Sequence, residues 1–191
     1  MKIIIVGNGK VGFTLAEHLS QEEHDVTVID TNDEALRHAS DALDVMCVKG
    51  NGAAISPLEE AGVSNADVVI AATNLDEINM VCCLTAKRLG AKFTIARVRN
   101  VEYAMEFSHL KDELGVDLAI NPENATAVEI SRLLRFPPAA NIETFCRGRV
   151  ELIGFRVREG DFLVGAPLSA HSRKLQSLSM LLCAAERESG A

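Results

Sequence analysis

The sequence predicts a doubly wound α/β fold, and three features of the chain support this prediction. Six short apolar runs rich in valine and isoleucine recur before residue 121, as expected of buried strands. Helix-like segments separate these runs, and a glycine-rich turn joins the first run to the first helix. Because alternating strands and helices form parallel sheets through right-handed crossovers, we expect an open parallel sheet.

The predicted elements follow the order of these segments. The strands are expected at residues 2–6, 25–29, 44–48, 67–71, 93–97 and 116–120. The helices between them are expected at residues 10–21, 33–41, 54–61, 76–89 and 101–114. One more helix is predicted at residues 121–136, because apolar side chains recur there at three- and four-residue spacing after an early proline.

The pattern changes after this last helix. Two consecutive prolines end it, and a linker is predicted at residues 136–141. From Ile142, apolar and polar residues alternate between glycine turns, which predicts a small antiparallel β unit, with a last strand at residues 180–188. The second unit would be marginal as an independent domain. The predicted domains are a nucleotide-binding domain at residues 1–136 and a small, truncated α+β unit at residues 142–191.

Composition and charge exclude several classes of protein. Of the 191 residues, 48% are hydrophobic and 24% are charged, which suffices for a sizeable core. The net charge of −8 disfavours binding to nucleic acids or to anionic lipid surfaces. No apolar run approaches the roughly 20 residues that span a bilayer, and the first residues do not resemble a signal peptide. We therefore expect a cytoplasmic protein that is not inserted in a membrane.

Neither the cysteines nor the histidines form a metal-binding pattern. The five cysteines contain no CxxC pair and lie in apolar segments, as is typical of small hydrophobic residues in a reducing compartment. The five histidines are scattered, and none stands at metal-ligand spacing from another histidine or a cysteine. We predict no metal site and no catalytic residues.

The turn after the first strand carries a nucleotide-binding pattern. Gly7, Gly9 and Gly12 form GxGxxG between a strand and a helix, which is the context of a Rossmann-like fold. There the first glycine permits the turn, the second lets the backbone approach a pyrophosphate, and the third lets helix and strand pack closely. The amino terminus of the helix adds free N–H groups for a phosphate. The alternative is that the glycines serve only the turn.

Asp30 favours the nucleotide interpretation over a purely structural turn. It ends the second strand 18 residues beyond Gly12, close to the spacing of about 20 at which an acid binds ribose hydroxyls. A carboxylate there also repels a 2′-phosphate, which disfavours NADP. The predicted cofactor is NAD or NADH, with ATP or ADP as the alternative because the glycines serve any of these phosphates.

Further candidates lie after the predicted strands, where open α/β sheets bind their ligands. Lys10 and Arg97 are in reach of phosphates, although a solvated lysine and a surface ion pair are the alternatives. The other candidates are loop residues and neighbours of the glycines. The set predicted from the residues is Gly7, Asn8, Gly9, Lys10, Val11, Gly12, Asp30, Thr31, Gly50, Asn51, Ala72, Thr73, Asn74 and Arg97.

Five segments of this chain also carry a family resemblance. They are KIIIVGNGKVGFTLAEHL, VTVID, VKGNGAAISPLEEAGVSNADVVIAAT, DEINMVCCLTAKRLGAKFTIARV and the NPE of residues 121–123. Together they resemble the regulator-of-conductance (RCK, or KTN) family. The resemblance covers residues 1 to about 140, and VELIGFRVREGDFLVGAPLSA is similar to the opening of the small domain that usually follows. One difference is the run Gly50, Asn51 and Gly52, where family members commonly have Gly-Asp-Ala.

The resemblance implies a nucleotide-sensing regulatory subunit of a potassium channel or transporter. Family members bind NAD(H), ATP or ADP, form dimers and rings, and pass ligand-dependent changes of shape to a membrane partner. For this chain the expected partner is a TrkH-like subunit of the inner membrane. The resemblance also implies that Glu123 lies near nucleotide or a divalent cation, against the alternative of a helix-start glutamate. The chain resembles one half of such a regulator, either cut short or as a short paralogue.

Two other classes of function compete with this one. An NAD-dependent oxidoreductase needs a substrate pocket and a proton donor facing the nicotinamide, and too little chain follows the first domain to build them. A redox-sensing transcription regulator needs a DNA-binding element, which this acidic sequence does not show. We therefore expect a non-enzyme that switches between two dimer arrangements, with the helix at residues 122–136 in the homodimer interface.

Overall fold

The chain divides into two compact units, Met1–Val128 and Glu129–Ala191. The first contains a six-stranded sheet and the second a two-stranded sheet. The computed structural model describes residues 1–103, 113–135, 139–146, 149–161, 163–165, 167–177 and 181–185. Among the helices in these ranges, none combines the length and the hydropathy that crossing a membrane requires.

Six parallel strands form the sheet of the first unit. They are β1 (Lys2–Val6), β2 (Asp25–Asp30), β3 (Met46–Lys49), β4 (Val68–Ala71), β5 (Phe93–Arg97) and β6 (Leu118–Ile120). Their order across the sheet is β3-β2-β1-β4-β5-β6, and every neighbouring pair is parallel. The strand order reverses between β1 and β4, and such a switch point is where open α/β sheets bind ligands. The predicted doubly wound, Rossmann-like sheet is confirmed.

Four helices connect the strands from β1 to β5. They are α1 (Lys10–Gln21), α2 (Asp33–Ala42), α3 (Ile55–Glu60) and α4 (Asp76–Arg88). The bounds of these helices and of the six strands agree with the predicted bounds to within two residues. Residues 101–103 are also helical, but residues 104–112 of the helix predicted there lie outside the described residues, and residues 113–115 form a turn.

The central strand β1 contributes side chains to both faces of the sheet. Ile3 and Ile5 belong to a buried cluster that includes residues of α1 and α2, whereas Ile4 and Val6 belong to a cluster that includes residues of α3 and α4. Successive side chains of a strand point to opposite faces, and both faces are covered here. An uninterrupted apolar run is therefore what this central position requires.

The second unit contains an antiparallel hairpin, as predicted. Its strands are β7 (Ala139–Phe145) and β8 (Val150–Phe155). The predicted last helix of the first domain is α5 (Pro122–Arg135), and its sequence crosses the division between the units. A short 3-10 helix, Leu168–His171, precedes α6 (Ser172–Ser177), and neither was predicted from the sequence.

Two predictions for the second unit are wrong. The linker expected at residues 136–141 is partly strand, because β7 begins at Ala139 and pairs with Phe155 of β8. Residues 181–185 of the expected last strand form neither strand nor helix, and the rest of that segment lies outside the described residues. Strands need partners, and in the described part of this unit β7 and β8 pair only with each other.

Candidate functional site

A crevice of about 660 Å³ lies at the carboxyl ends of β1 to β5. Twelve of the predicted binding residues line it, and Asn8, Gly12 and Glu123 do not. The predicted residues that line it are Gly7, Gly9, Lys10, Val11, Asp30, Thr31, Gly50, Asn51, Ala72, Thr73, Asn74 and Arg97. Gly52, which follows β3 with Gly50 and Asn51 in the loop predicted to face the ligand, also lines the crevice, and the lining residues that were not predicted are Val6, Ile29, Leu75 and Ile78.

Gly7 and Gly12 are required by the packing of the first strand–helix turn. Gly7 has a φ of +96°, and a β-carbon there would lie 2.8 Å from the backbone nitrogen of Thr73. A β-carbon at Gly12 would collide with the carbonyl oxygen of Gly7. Any side chain at either position would therefore displace backbone, whether or not a ligand is bound.

Gly9 has no such packing role. Its φ of −75° and ψ of −169° are open to any residue, and a β-carbon at this position would meet no atom within 4 Å. The missing side chain leaves open space over the backbone at the wall of the crevice. Gly9 therefore lets a ligand approach the main chain closely.

The amino terminus of α1 meets the crevice without a side-chain cap. Gly9 is the N-cap residue, so no N-cap side chain accepts a hydrogen bond from the N–H groups of the first turn. The first turn also contains no acidic residue. By contrast, the Asn32 side chain caps α2 by accepting the N–H groups of Glu34 and Ala35. The first turn of α1 thus offers N–H groups and the positive end of the helix dipole to an anion, beside the ammonium of Lys10.

Asp30 lies at the end of β2, on the neighbouring side of the glycine turn. One carboxylate oxygen accepts the N–H of Asn8 at 2.6 Å, and the other accepts the N–H of Asn32 at 2.8 Å. A carboxylate has about four acceptor positions, so oxygen lone pairs remain for hydroxyl donors. These two bonds hold the carboxylate in place at the crevice wall.

Asn8 connects the glycine turn to its neighbours and does not line the crevice. Its side chain is buried, and Nδ2 donates to the carbonyl oxygen of Ala35 at 2.7 Å. With the bond from its N–H to Asp30, it joins the turn to the end of β2 and to α2. Asn8 therefore supports the site from behind the crevice wall and does not face the crevice.

Arg97 carries a positive charge into the crevice from the end of β5. Its side chain is 13% exposed, Nη1 donates to the carbonyl oxygen of Thr73 at 3.4 Å, and Nη2 pairs with the carboxylate of Glu123. Desolvation acts to raise the pKa of Glu123, but hydrogen bonds from its own N–H and from Arg97 lower it below its ordinary value of 4.5. Arg97 and Glu123, which were both expected to lie near a ligand, therefore form an ion pair with each other.

Two buried polar residues of α4 support the site and were not predicted from the sequence. Asp76 is 6% exposed, and Oδ2 accepts the N–H groups of Arg99 and Asn100, both at 2.8 Å. Asn79 is fully buried and hydrogen-bonds to Thr73 and Arg97. The helical spacing of the sequence could have indicated their burial, since both residues share the helix face of the buried Cys82 and Cys83. Polar residues on an apolar face usually have buried partners.

The lining of the crevice combines charged and uncharged polar side chains. Its charged side chains are Lys10, Asp30 and Arg97, and its polar uncharged side chains are those of Thr31, Asn51, Thr73 and Asn74. Among the residues that the structure describes, no histidine, cysteine, tyrosine or glutamate lines it. In the part of the chain that the structure describes, no three histidine, cysteine or acidic side chains cluster in a way that could hold a metal ion. The arrangement can bind phosphates and hydroxyl groups.

A comparison with protein families shows the family to which this chain belongs. The model of the TrkA-N domain matches residues 3–122, which contain the crevice and nearly the whole six-stranded sheet. The chain belongs to the TrkA-N domain family. The resemblance carried by the sequence motifs is confirmed over this part of the chain.

Relatives and solved structures agree with the TrkA-N assignment. The Trk system potassium uptake protein TrkA of Halomonas elongata is 40% identical over 191 residues, and the match covers 98% of this chain and 41% of that protein. The TrkA-N domain of the inner membrane protein ybaL from Escherichia coli has a TM-score of 0.61 at 23% identity, covering 69% of this chain and 95% of that one. The GsuK channel bound to NAD has a TM-score of 0.53 at 24% identity, covering 62% of this chain and 21% of that one. The two structures support the fold.

Proposed function

We propose that this chain binds an adenine nucleotide in the crevice and regulates a potassium uptake system without catalysing a reaction. The observation that carries the binding is the open space at Gly9, which packing does not require, beside the uncapped amino terminus of α1. Asp30 at the next strand end supplies the acceptor that a ribose needs. The regulatory role is supported by relatives named Trk system potassium uptake protein TrkA. This chain spans 41% of the length of the Halomonas elongata protein.

The order of the strands suggests how an adenine dinucleotide lies in the crevice. The adenosine ribose is assigned to Asp30 on β2, and the pyrophosphate to Gly9 and the first turn of α1 after β1. The second nucleoside extends toward Thr73 and Arg97 at the ends of β4 and β5. NAD or NADH uses the whole crevice in this arrangement, and ATP or ADP remains the alternative. Lys10 is the candidate partner of a third phosphate.

The assembly around this site is part of the same proposal. A homodimer or larger ring forms through the exposed apolar side chains of α5, and nucleotide binding shifts the balance between two arrangements of the subunits. The partner is a TrkH-like potassium channel or transporter at the cytoplasmic side of the inner membrane. Residues 1–136 form the nucleotide-binding domain in this assignment, and residues 142–191 form part of the small domain. Glu123 is assigned to the ligand-responsive end of the crevice through its pair with Arg97.

An oxidoreductase is the competing proposal, and the crevice lining argues against it. A dehydrogenase needs a proton donor or acceptor beside the nicotinamide. Among the described residues, the one charged side chain that lines the crevice beyond β1 is that of Arg97, whose guanidinium pairs with Glu123. Steady oxidation of NADH with simple carbonyl compounds would favour the enzyme over the regulator.

Calorimetric titration of the purified chain with NADH, NAD, ATP and ADP tests the binding. We expect NADH or NAD to bind more tightly than ATP or ADP, and bound nucleotide to be recovered chemically unchanged after long incubation. The variant Lys10→Ala should weaken ATP more than NADH. Absence of binding for all four nucleotides would contradict the proposed function. ATP binding tenfold tighter than NADH, with the advantage lost in Lys10→Ala, would contradict the choice of a dinucleotide.

A further inference from the structure

Asn79 uses its entire amide group to hold two crevice residues. It lies in the first turn of α4 and is 0% exposed. Its Oδ1 accepts the backbone N–H of Thr73 at 2.9 Å and the hydroxyl of Thr73 at 2.7 Å. Its Nδ2 donates to the carbonyl oxygens of Arg97 at 2.8 Å and of Thr73 at 3.3 Å. An amide offers two donors and two acceptor positions, and here all four are occupied.

The two residues that Asn79 holds form one end of the crevice. Thr73 follows β4 and Arg97 ends β5, and both line the crevice wall. Arg97 also donates from Nη1 to the carbonyl oxygen of Thr73. The backbone from which both side chains enter the crevice is thus fixed by one buried side chain.

This end of the crevice is remote from the ribose site proposed at Asp30. Asp30 ends β2, which is separated from β5 by β1 and β4. With neighbouring strands about 4.8 Å apart, the ends of β2 and β5 lie about 14 Å from each other. AMP bound at Asp30 and Gly9 would end at the glycine turn, beside the end of β4, whereas the second nucleoside of a dinucleotide would extend past Thr73 to Arg97 at the end of β5.

We infer that Asn79 is a positioning residue for the part of the ligand beyond the pyrophosphate, and that it sets the preference of this crevice for a dinucleotide over a mononucleotide. The inference rests on the proposed nucleotide binding and names the side chain that makes it selective. An apolar residue at this position would leave the N–H of Thr73 and the carbonyl oxygen of Arg97 buried without partners. Both crevice residues would then move away from the ligand.

If Asn79 only stabilised the fold, its substitution would weaken AMP and NADH equally. The ratio of the two affinities is therefore the decisive measurement. AMP and NADH are titrated against the unsubstituted chain and against Asn79→Ala, Thr73→Val and Thr94→Val. Thr73→Val removes the hydroxyl that donates to Asn79 at 2.7 Å and accepts the N–H of Leu75 at 3.3 Å, and leaves the amide of Asn79 in place. Thr94 is the control, because it is as fully buried as Asn79 and its hydroxyl donates to the carbonyl oxygen of Gly115 at 2.6 Å near the start of β5.

We expect Asn79→Ala to weaken NADH about tenfold while AMP stays within about twofold of its original affinity. Thr73→Val should weaken NADH about threefold, with AMP again unchanged. Thr94→Val should lower the melting temperature without changing the ratio of the two affinities. An equal loss of AMP and NADH in Asn79→Ala would overturn the inference. If that variant does not fold, an unchanged affinity ratio in Thr73→Val would overturn it.

Hydrogen exchange separates failure of this inference from failure of the proposed function. In the ligand-free chain, the amide of Thr73 should exchange faster in Asn79→Ala than in Thr94→Val. Unchanged protection of this amide would show that Asn79 does not hold Thr73, and the inference would be wrong even if NADH binds. If the unsubstituted chain binds neither nucleotide, the proposed function fails, and with it the role of Asn79 in ligand selection.

Discussion

A β-carbon at Gly12 would lie 1.8 Å from the carbonyl oxygen of Gly7. No side chain can be accommodated at that separation, so Gly12 is required for α1 to pack against the end of β1. A β-carbon at Gly9, in the same turn, would meet no atom within 4 Å. The turn therefore contains glycines that folding needs and one glycine that folding does not need.

Substitution should separate these two kinds of glycine. Gly9→Ala should leave the free energy of unfolding unchanged or raise it by about 0.4 to 1 kcal/mol, because its backbone angles suit alanine. The same variant should weaken NADH binding at least about tenfold, because the methyl group occupies the approach to the backbone. Gly12→Ala should lower the free energy of unfolding by about 1 to 3 kcal/mol or prevent folding. Thermal unfolding and calorimetry give both quantities, and unchanged NADH affinity in Gly9→Ala would contradict the assigned pyrophosphate position.

Asp30→Ala should reduce the affinity for NADH about 10- to 150-fold. The reason is the loss of hydrogen bonds from ribose hydroxyls to a charged acceptor, worth about 1.5 to 3 kcal/mol. The preference for NADH over NADPH should also narrow, because the carboxylate no longer repels a 2′-phosphate. Asp33→Ala is the matched control, since Asp33 is exposed and pairs with Lys49 at 2.6 Å. Similar losses in both variants, measured by calorimetry, would rule out a specific role for Asp30.

The exposed apolar side chains of α5 should form a homodimer interface. No residue of α5 is buried, and Ile130, Leu133 and Leu134 are 52%, 50% and 71% exposed. Covering them with a second copy removes apolar surface from water. Sedimentation at tens of micromolar should give a dimer, and Ile130→Asp combined with Leu134→Asp should give a monomer. Arg132→Ala is the control on the same helix and should remain dimeric, while a monomeric unsubstituted chain would refute the prediction.

Acid should weaken the fold through Asp117, which pairs with Lys87 at 2.8 Å and accepts the N–H of Thr94 at 2.8 Å. Desolvation acts to raise the pKa of Asp117, but these hydrogen bonds lower it below its ordinary value of 3.8. The folded carboxylate thus binds a proton less readily than the unfolded one. Its contribution to the free energy of unfolding is complete above the ordinary pKa and is lost as the pH falls toward the folded pKa.

The difference in stability between the unsubstituted chain and Asp117→Asn should therefore shrink as the pH falls from about 6 to about 3. Urea unfolding at a series of pH values measures this difference. Asp41→Asn changes an exposed carboxylate and serves as the control. A stability difference for Asp117→Asn that stays constant over this range would show that the pair with Lys87 does not carry the pH dependence.

Local sequence determined the elements of the first unit. A central parallel strand is buried on both faces, so the continuous apolar run after Lys2 in KIIIV predicts such a strand. The observed bounds of β1 match this prediction. The constraint on Gly12 is equally local, because it arises from Gly7 within one strand–helix junction, whereas Gly7 is constrained by the distant backbone of Thr73 after β4. The second unit was harder to predict, because a residue such as Ala139 becomes part of a strand only when a partner strand lies beside it.

The parallel strands, the glycine pattern and the acid at the end of β2 were predictable from the sequence, since each is recognised from neighbouring residues in the chain. The side chains that support the site depend on tertiary packing and were not predictable in this way. Asn79 stands 6 residues from Thr73 and 18 from Arg97, and the folding of β4 against β5 brings the three together around one amide. The turning of Asn8 toward Ala35 also depends on how α2 packs beside the glycine turn. Hydrogen bonds between residues far apart in the chain have no periodic sequence pattern, so they follow from the packing of the folded sheet.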